Sequence, residues 1–231
     1  MLSVDIGGSH IKATILDPEG NTLQDYTKIK TPDPASPASV IAAIQELISD
    51  FKSFSCVSVG FPGYIRNGVV WTAPNLGTEL WAGFDLRKKI EKALGFPTRA
   101  VNDADMQGLG VVKGEGLELL ITLGTGMGVA LLLDGQLLPH LEISHHPIKG
   151  GKDYDQFIGD KALNKIGAEA WNKRMEKVLD VLKTVVNYDT LYIGGGNASV
   201  LSMKLPKNIK RVTNREGIKG GARLWTLNPK K

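Results

Sequence analysis

Cysteine is nearly missing from this chain. Its 231 residues include one, Cys56, which excludes an internal disulfide and a cysteine-built zinc cluster. Cys56 sits in the apolar run Cys56-Val57-Ser58-Val59, the setting of a buried structural thiol rather than a nucleophile. Aromatic residues are sparse, at 6%. No apolar run approaches the roughly 20 residues that cross a bilayer. The start of the chain lacks the charged-then-apolar pattern of a signal peptide, because Asp5, Gly7 and Gly8 interrupt it. The expectation is a cytoplasmic protein with no membrane partner.

What is present is an ordinary globular balance, 42% hydrophobic and 23% charged. The length fits one large domain or two small lobes. The net charge of +4 conceals an asymmetry. Residues 1–148 carry 11 Lys/Arg against 16 Asp/Glu, a balance of −5, whereas residues 149–231 carry 17 against 8, a balance of +9. Such a split suits an anionic partner for the second half, and solvated helix faces account for part of it.

The chain opens with a strand from Leu2 to Ile6, the turn Gly7-Gly8, and an alternating run through Ile11, Ala13 and Ile15. A turn at Pro18–Asn21 then leads to a third strand over Thr22–Lys28. Ser36 and Pro37 open an amphipathic helix carrying Val40, Ile41, Ile44, Leu47, Ile48 and Phe51. Strands follow at 56–60, 68–71 and 98–101, with a helix between the last two capped by Asp85 and closed by Gly95. After Asn102-Asp103 come a short helix, strands at 118–123 and 127–133, and a helix through Trp171 to Val186. Strand Leu191–Ile193 and a final helix at about Arg215 to Trp225 complete the chain. The pattern of strand, glycine turn and strand occurs twice, at 2–16 and 118–133, which points to two lobes each built on a hairpin.

The segment Gly124-Thr125-Gly126-Met127-Gly128 is not a dinucleotide fingerprint, because it leads into the strand Val129–Leu133 rather than a helix. A glycine-rich hairpin turn still presents backbone N–H groups unobstructed, which makes it an anion-binding concavity. Most such turns merely turn the chain. Two of them, one with Asp5 and Lys12 beside it and one carrying Thr125, point together to phosphoryl transfer. Asp5 could hold Mg²⁺ through water while the N–H groups hold phosphates.

These residues resemble the ROK family of sugar kinases. Asp5-Ile6-Gly7-Gly8-Ser9-His10-Ile11-Lys12 resembles the family's first phosphate loop. Pro62-Gly63 and Ala73-Pro74-Asn75-Leu76 resemble its sugar-contacting segment, and Asn102-Asp103-Ala104 its catalytic aspartate motif. Leu123–Gly128 resembles the second phosphate loop, Glu142-Ile143-Ser144-His145 the E-x-G-H sugar motif, and Gly194-Gly195-Gly196 the glycine turn near the nucleotide base. All lie in the family's order. Ser144 stands where the family has glycine, and the cysteine-rich zinc motif and its associated glutamate are missing. The polyphosphate-using glucokinase branch also lacks that motif and carries a G-G-K similar to Gly150-Gly151-Lys152. Gly68–Ala73 and Trp81-Ala82-Gly83 resemble that branch as well.

The resemblance implies an α/β, two-lobed actin-like ATPase (ribonuclease-H-like) fold with an interlobe active-site cleft. The first lobe is expected at 1–103, completed by a C-terminal helix at about 215–231, and the second at 104–214. It implies phosphorylation of glucose at its 6-hydroxyl by inorganic polyphosphate or ATP with Mg²⁺ and without zinc. Asp103 is the implied general base, since a carboxylate that takes the hydroxyl proton activates a poor nucleophile. A helix-capping aspartate is the other reading. Asn75, Asn102, Glu142 and His145 would hold the sugar alongside Asp103, the amides both donating and accepting. Turn-forming asparagines, a surface histidine pair, or a transition metal on Glu142, His145 and His146 are the alternatives. Gly7, Gly8, Ser9, Lys12, Gly124, Thr125, Gly126, Gly194, Gly195 and Gly196 would hold the donor, and Asp5 the Mg²⁺ through water. The polyanionic donor would lie along Lys149, Lys152, Lys161 and Lys165 and a second cluster, Arg211, Arg215, Lys219 and Arg223, with three of those on one helical face. A homodimer is implied, with glucose and donor as partners and no nucleic acid.

Three other functions compete. An ATP-dependent kinase for mannose, fructose or an amino sugar is disfavoured for amino sugars by the missing zinc motif. A sugar-responsive repressor would need a helix-turn-helix ahead of Leu2. A non-catalytic sugar-binding module is disfavoured by Asp103 and the two phosphate loops.

Overall fold

The computed structural model describes residues 1–227. The chain divides into two compact units, residues 1–110 with 218 onward, and residues 111–217. The helix that opens at Asp103 thus belongs to the first unit rather than the second.

The first unit is built on a five-stranded sheet. Strands β1 (Leu2–Ile6), β2 (His10–Ile15) and β3 (Thr27–Lys30) form an antiparallel meander. Strands β4 (Val57–Phe61) and β7 (Thr98–Asn102) continue from β1 in parallel, giving the order β3-β2-β1-β4-β7. The third strand starts at Thr27, later than the expected Thr22. Leu16 pairs with Thr22 in an isolated bridge and the Thr14 hydroxyl donates to the Gln24 carbonyl, so these residues close the turn first. Between β4 and β7, β5 (Ile65–Arg66) and β6 (Val69–Val70) make a small hairpin in place of one strand at 68–71. Asn67 (φ 55°) and Gly68 (φ 84°) turn it, the two left-handed residues that a tight hairpin needs.

Helix α1 (Pro37–Leu47) starts where the sequence indicates, the Ser36 hydroxyl accepting from the Ser39 N–H with Pro37 in the first turn. A short α2 (Thr78–Trp81) precedes α3 (Leu86–Leu94), which Asp85 caps and Gly95 ends in the left-handed region. Val40, Ile44, Trp81, Leu86 and Ile90 bury their side chains against Val4, Val59 and Phe61 of the sheet. Helix α4 (Asp103–Val111) leaves the end of β7.

The second unit repeats the plan. Strands β8 (Leu117–Leu123) and β9 (Met127–Leu133) are an antiparallel hairpin, extended by β10 (Gln136–Leu137). A second hairpin, β11 (Pro147–Lys149) and β12 (Lys152–Asp153), precedes α5 (Tyr154–Ile158) and the long α6 (Asp160–Val186), which breaks at Gly167 (φ 77°). Strands β13 (Thr190–Gly194) and β14 (Ile209–Arg211) complete the sheet in the order β10-β9-β8-β13-β14. Trp171, Met175, Val178 and Leu182 of α6 cover Leu119, Ile121, Leu191 and Ile193.

The last segment is two short helices, α7 (Asn214–Ile218) and α8 (Gly220–Arg223), not one. Glycines open the second of them because the packing is close. A Cβ at Gly220 would collide with the Met106 carbonyl, and one at Gly221 with Ser3. The chain is held there by Ser58, whose hydroxyl donates to the Gly221 carbonyl, by the Trp225 indole donating to Ser58, and by Arg99 donating to the Leu224 carbonyl. Two arginines of the expected second basic cluster are tied into the fold. Arg211 lies in β14 and donates to the Leu201 carbonyl, while Arg223 donates to that of Leu109. The side chain of Arg215 and residues 228–231, the end of the expected final helix, lie outside the described residues. Among the described residues no helix is long and apolar enough to cross a membrane.

Candidate active site

Strands β1, β4 and β7 are parallel, so their carboxyl ends share one edge of the first sheet. Open α/β sheets bind ligands at that edge. Here it carries Gly7–Ser9, Pro62-Gly63 and Asn102-Asp103. The first glycine turn is closed by the Gly7 N–H donating to the His10 carbonyl. Thr31 ties it down, its hydroxyl donating to the Gly7 carbonyl and its N–H to that of Ser9.

Cross-strand register sets Asp5 and Asp103 at the same edge of the sheet. Asp5 pairs with Lys12 of β2 on one side and with Gly60 of β4 on the other, and Gly60 pairs with Val101 of β7. Gly60 has no side chain, and a Cβ there would touch the Asp103 Cα at 3.3 Å. The Asp5 carboxylate lies 3.5 Å from the Lys12 ammonium and keeps about a quarter of its side-chain surface exposed. Burial pushes this carboxyl above its usual range, and Lys12 offsets that only in part. A negative charge so incompletely compensated fits a hydrated Mg²⁺, which needs one or two carboxylates plus phosphate oxygens.

Asn102 is bonded to the fold at both ends of its carboxamide. Its carboxamide oxygen accepts from the N–H groups of Ala104 (2.8 Å) and Asp105 (3.3 Å), and its NH₂ donates to the buried Gly63 carbonyl. It is the N-cap of α4 and is itself buried, so its amide serves the fold. Asp103 is therefore the first helical residue and not the cap. One of its oxygens accepts from the Ala104 N–H at 2.8 Å. Asn75 is exposed and lies against the first glycine turn, where a Cβ on Gly8 would meet its Cβ at 3.3 Å.

In the second unit the remaining glycines converge. Gly124 N–H donates to the Gly126 carbonyl, and the Gly124 carbonyl accepts from Asp160 N–H at 2.9 Å. The Asn197 amide donates to Asp160 (2.6 Å) and reaches the same carbonyl (3.4 Å). Gly195 (φ 85°) crosses the Leu123 backbone so closely that a Cβ would collide with it. The turns at 124–126 and 194–196 thus lie side by side, with the start of α6 beneath the former. Thr125 is exposed at the tip.

Asp155 is a residue that no motif announced. It accepts from the Met127 N–H at 2.7 Å, and a Cβ on Gly126 would collide with its carboxylate. Burial pushes this carboxyl up, only partly offset by that N–H.

Glu142 and His145 are brought together, their side chains 3.8 Å apart and His145 half exposed. The second histidine near Glu142 is His140 rather than His146, with Nε2 3.3 Å from the other carboxylate oxygen. The His140 imidazole holds the Glu142 carboxyl below its usual range against the opposite pull of burial, and His145 adds to the effect. Among the described residues no group of three or more His, Cys, Asp or Glu side chains is placed to hold a metal. Ser144 is buried in the short 3-10 turn Ile143–His145 with φ outside the left-handed region, so replacing glycine there strains nothing.

Two α/β units, each a glycine-turned hairpin extended by parallel strands, define the actin-like ATPase class of fold. The ROK family model matches residues 1–142. A polyphosphate glucokinase of Mycobacterium tuberculosis (strain CDC 1551 / Oshkosh) is 33% identical over 222 residues, covering 92% of this chain and 82% of that protein. A polyphosphate glucokinase of Mycobacterium leprae (strain TN) is 33% identical over 243 residues, covering 97% of this chain and 74% of that protein. Among solved structures, the inorganic polyphosphate/ATP-glucomannokinase from Arthrobacter sp. strain KM matches with a TM-score of 0.88 at 29% identity, over 98% of each chain. A ROK family glucokinase from Streptomyces griseus, at 20% identity and a TM-score of 0.78 over 97% of this chain and 98% of that one, shares the fold. The chain belongs to the ROK family.

Proposed function

We propose that this protein phosphorylates glucose at its 6-hydroxyl, taking the phosphoryl group from inorganic polyphosphate or ATP. The observation that carries the reading is the row Asp5–Gly60–Val101, which sets Asp103 and the first glycine turn on one sheet edge. The hydroxyl oxygen attacks the terminal phosphorus as its proton passes to Asp103, and the bond to the bridging oxygen of the donor breaks. Asn75, Glu142 and His145 hold the sugar. The N–H groups of the turns at 7–9 and 124–126, with Lys12, hold the phosphates, and the turn at 194–196 serves a nucleotide donor. Mg²⁺ held at Asp5 through water would neutralise charge on the phosphates.

The use of polyphosphate has a structural correlate in the hairpin β11–β12. Gly150 (φ 60°) and Gly151 (φ 72°) form its turn, and Lys149 pairs directly with Lys152 across it. Like charges opposite one another repel, and an anion lying across the hairpin would relieve that.

Asp103→Asn tests the central claim. Turnover should fall about 100-fold or more while the glucose KM stays within a few-fold, because the base acts mainly in the transition state. Near-normal turnover would remove Asp103 from its role.

A further inference from the structure

We propose that His140 is a positioning residue for acceptor recognition, holding the Glu142 carboxylate in the orientation that receives the sugar hydroxyls. The proposal rests on the reading of Glu142 as a sugar residue. Glu142 sits where the backbone offers little guidance. The chain leaves the ladder after Leu138, whose N–H donates to the Leu131 carbonyl, and regular structure resumes only at Ile143. Glu142 precedes that short turn without capping it through its side chain. Its long side chain would otherwise sample several rotamers, and fixing it costs conformational entropy at every binding event.

The two histidines beside Glu142 divide the work. His145 is half exposed and can meet a ligand directly. His140 has only 6% of its side chain exposed, so it can act on a ligand only through its neighbour. Its Nε2 stands 3.3 Å from Oε1 of Glu142, whereas His145 approaches Oε2 at 3.8 Å. Each carboxylate oxygen therefore faces a different ring, which defines the plane of the group. An orienting partner of this kind acts as the outer residues around a metal or catalytic group do, by fixing geometry and charge in advance of binding.

The experiment compares His140→Ala, His140→Gln, Glu142→Gln and His140→Ala/Glu142→Gln in the full chain, with kcat, both KM values and melting temperature for each. His140→Ala should raise the glucose KM about 10- to 50-fold, with kcat and the donor KM within about threefold of wild type. His140→Gln, whose amide can donate to the carboxylate, should restore most of the glucose KM. The double variant should be no worse for glucose than Glu142→Gln alone, since the two residues act as one unit. An unchanged glucose KM in His140→Ala, beside a raised one in Glu142→Gln, would overturn this proposal and leave the sugar site standing. An unchanged KM in Glu142→Gln would overturn both. Should His140→Ala fail to fold, His140→Gln decides by itself: a glucose KM near wild type supports the orienting role, and one as poor as in Glu142→Gln overturns it.

Discussion

Two carboxylates in the candidate site are pushed in opposite directions, and each shift has a consequence for pH. Burial raises Asp5 above 3.8, so protonation favours the folded state, and stability falls as pH rises through the raised value. At neutral pH the charged Asp5 is therefore a cost to folding. Asp5→Asn should melt higher than wild type at pH 7, by roughly 2–4 °C if about 1 kcal/mol is recovered, and the gain should vanish in acid. The variant should also lose turnover and the thermal shift produced by Mg²⁺ with donor. A variant that is less stable at pH 7 would refute the account. Glu142 behaves in the reverse sense. Its carboxyl lies below 4.5 through its contact with His140, so the stability it contributes is present above that pH and lost as pH falls through the lowered value. The difference in melting temperature between wild type and Glu142→Gln should hold at pH 6–7 and close towards pH 4. A pH-independent difference would mean that packing, not charge, holds the segment.

At the level of elements, the two glycine turns are shaped by quite different neighbours. The turn at 7–9 is tied to Thr31, whereas Gly126 is glycine because the Asp155 carboxylate occupies the place of a side chain. Gly126→Ala should therefore displace Asp155 from the Met127 N–H and distort the N–H groups proposed to bind phosphate. The expected result is a rise of about 10-fold or more in the KM of either donor, with a smaller change for glucose. An equal rise for glucose would place the turn in the sugar site instead. This contrast also marks what could be read from the residues alone. Hairpins, caps and helix ends were legible because their signals are local: Ser36-Pro37, Asp85, Gly95 and the paired glycines each act within a few residues. Asp155 and His140 were not legible, since one acts on a turn 28 residues away and the other through a buried contact inside an irregular loop. Asn102 was legible as a turn former or as a sugar ligand, but not as the residue that caps α4 in place of Asp103, with its amide on the Gly63 carbonyl from another strand end. The final helical segment was legible in outline, but not its close packing, since Gly220 and Gly221 answer to Met106 and Ser3, more than a hundred residues away.

Over the whole molecule, the basic excess after residue 148 is only partly available to a polyanion. Arg174 donates to the Phe157 carbonyl and stacks on its ring, Arg211 donates to the Leu201 carbonyl, and Arg223 to that of Leu109. Such arginines hold the fold. The exposed remainder includes Lys149 and Lys152, paired across one hairpin, and Lys161 and Lys165, one turn apart on α6. Charges of this kind are screened within ~8–10 Å at ordinary ionic strength, so an affinity built on several of them must weaken as salt rises. On the proposed reading ATP is held chiefly by backbone N–H groups and Mg²⁺ and has less to lose. The KM for polyphosphate should therefore climb steeply from low to high salt while that for ATP moves little. Lys149→Glu/Lys152→Glu should raise the polyphosphate KM at low salt and flatten its salt dependence, leaving the glucose KM and the ATP reaction close to wild type. Turnover with each donor across a salt series decides the matter. Equal salt responses for the two donors, or no turnover with polyphosphate at any salt, would reduce the protein to an ATP-dependent kinase with a basic surface.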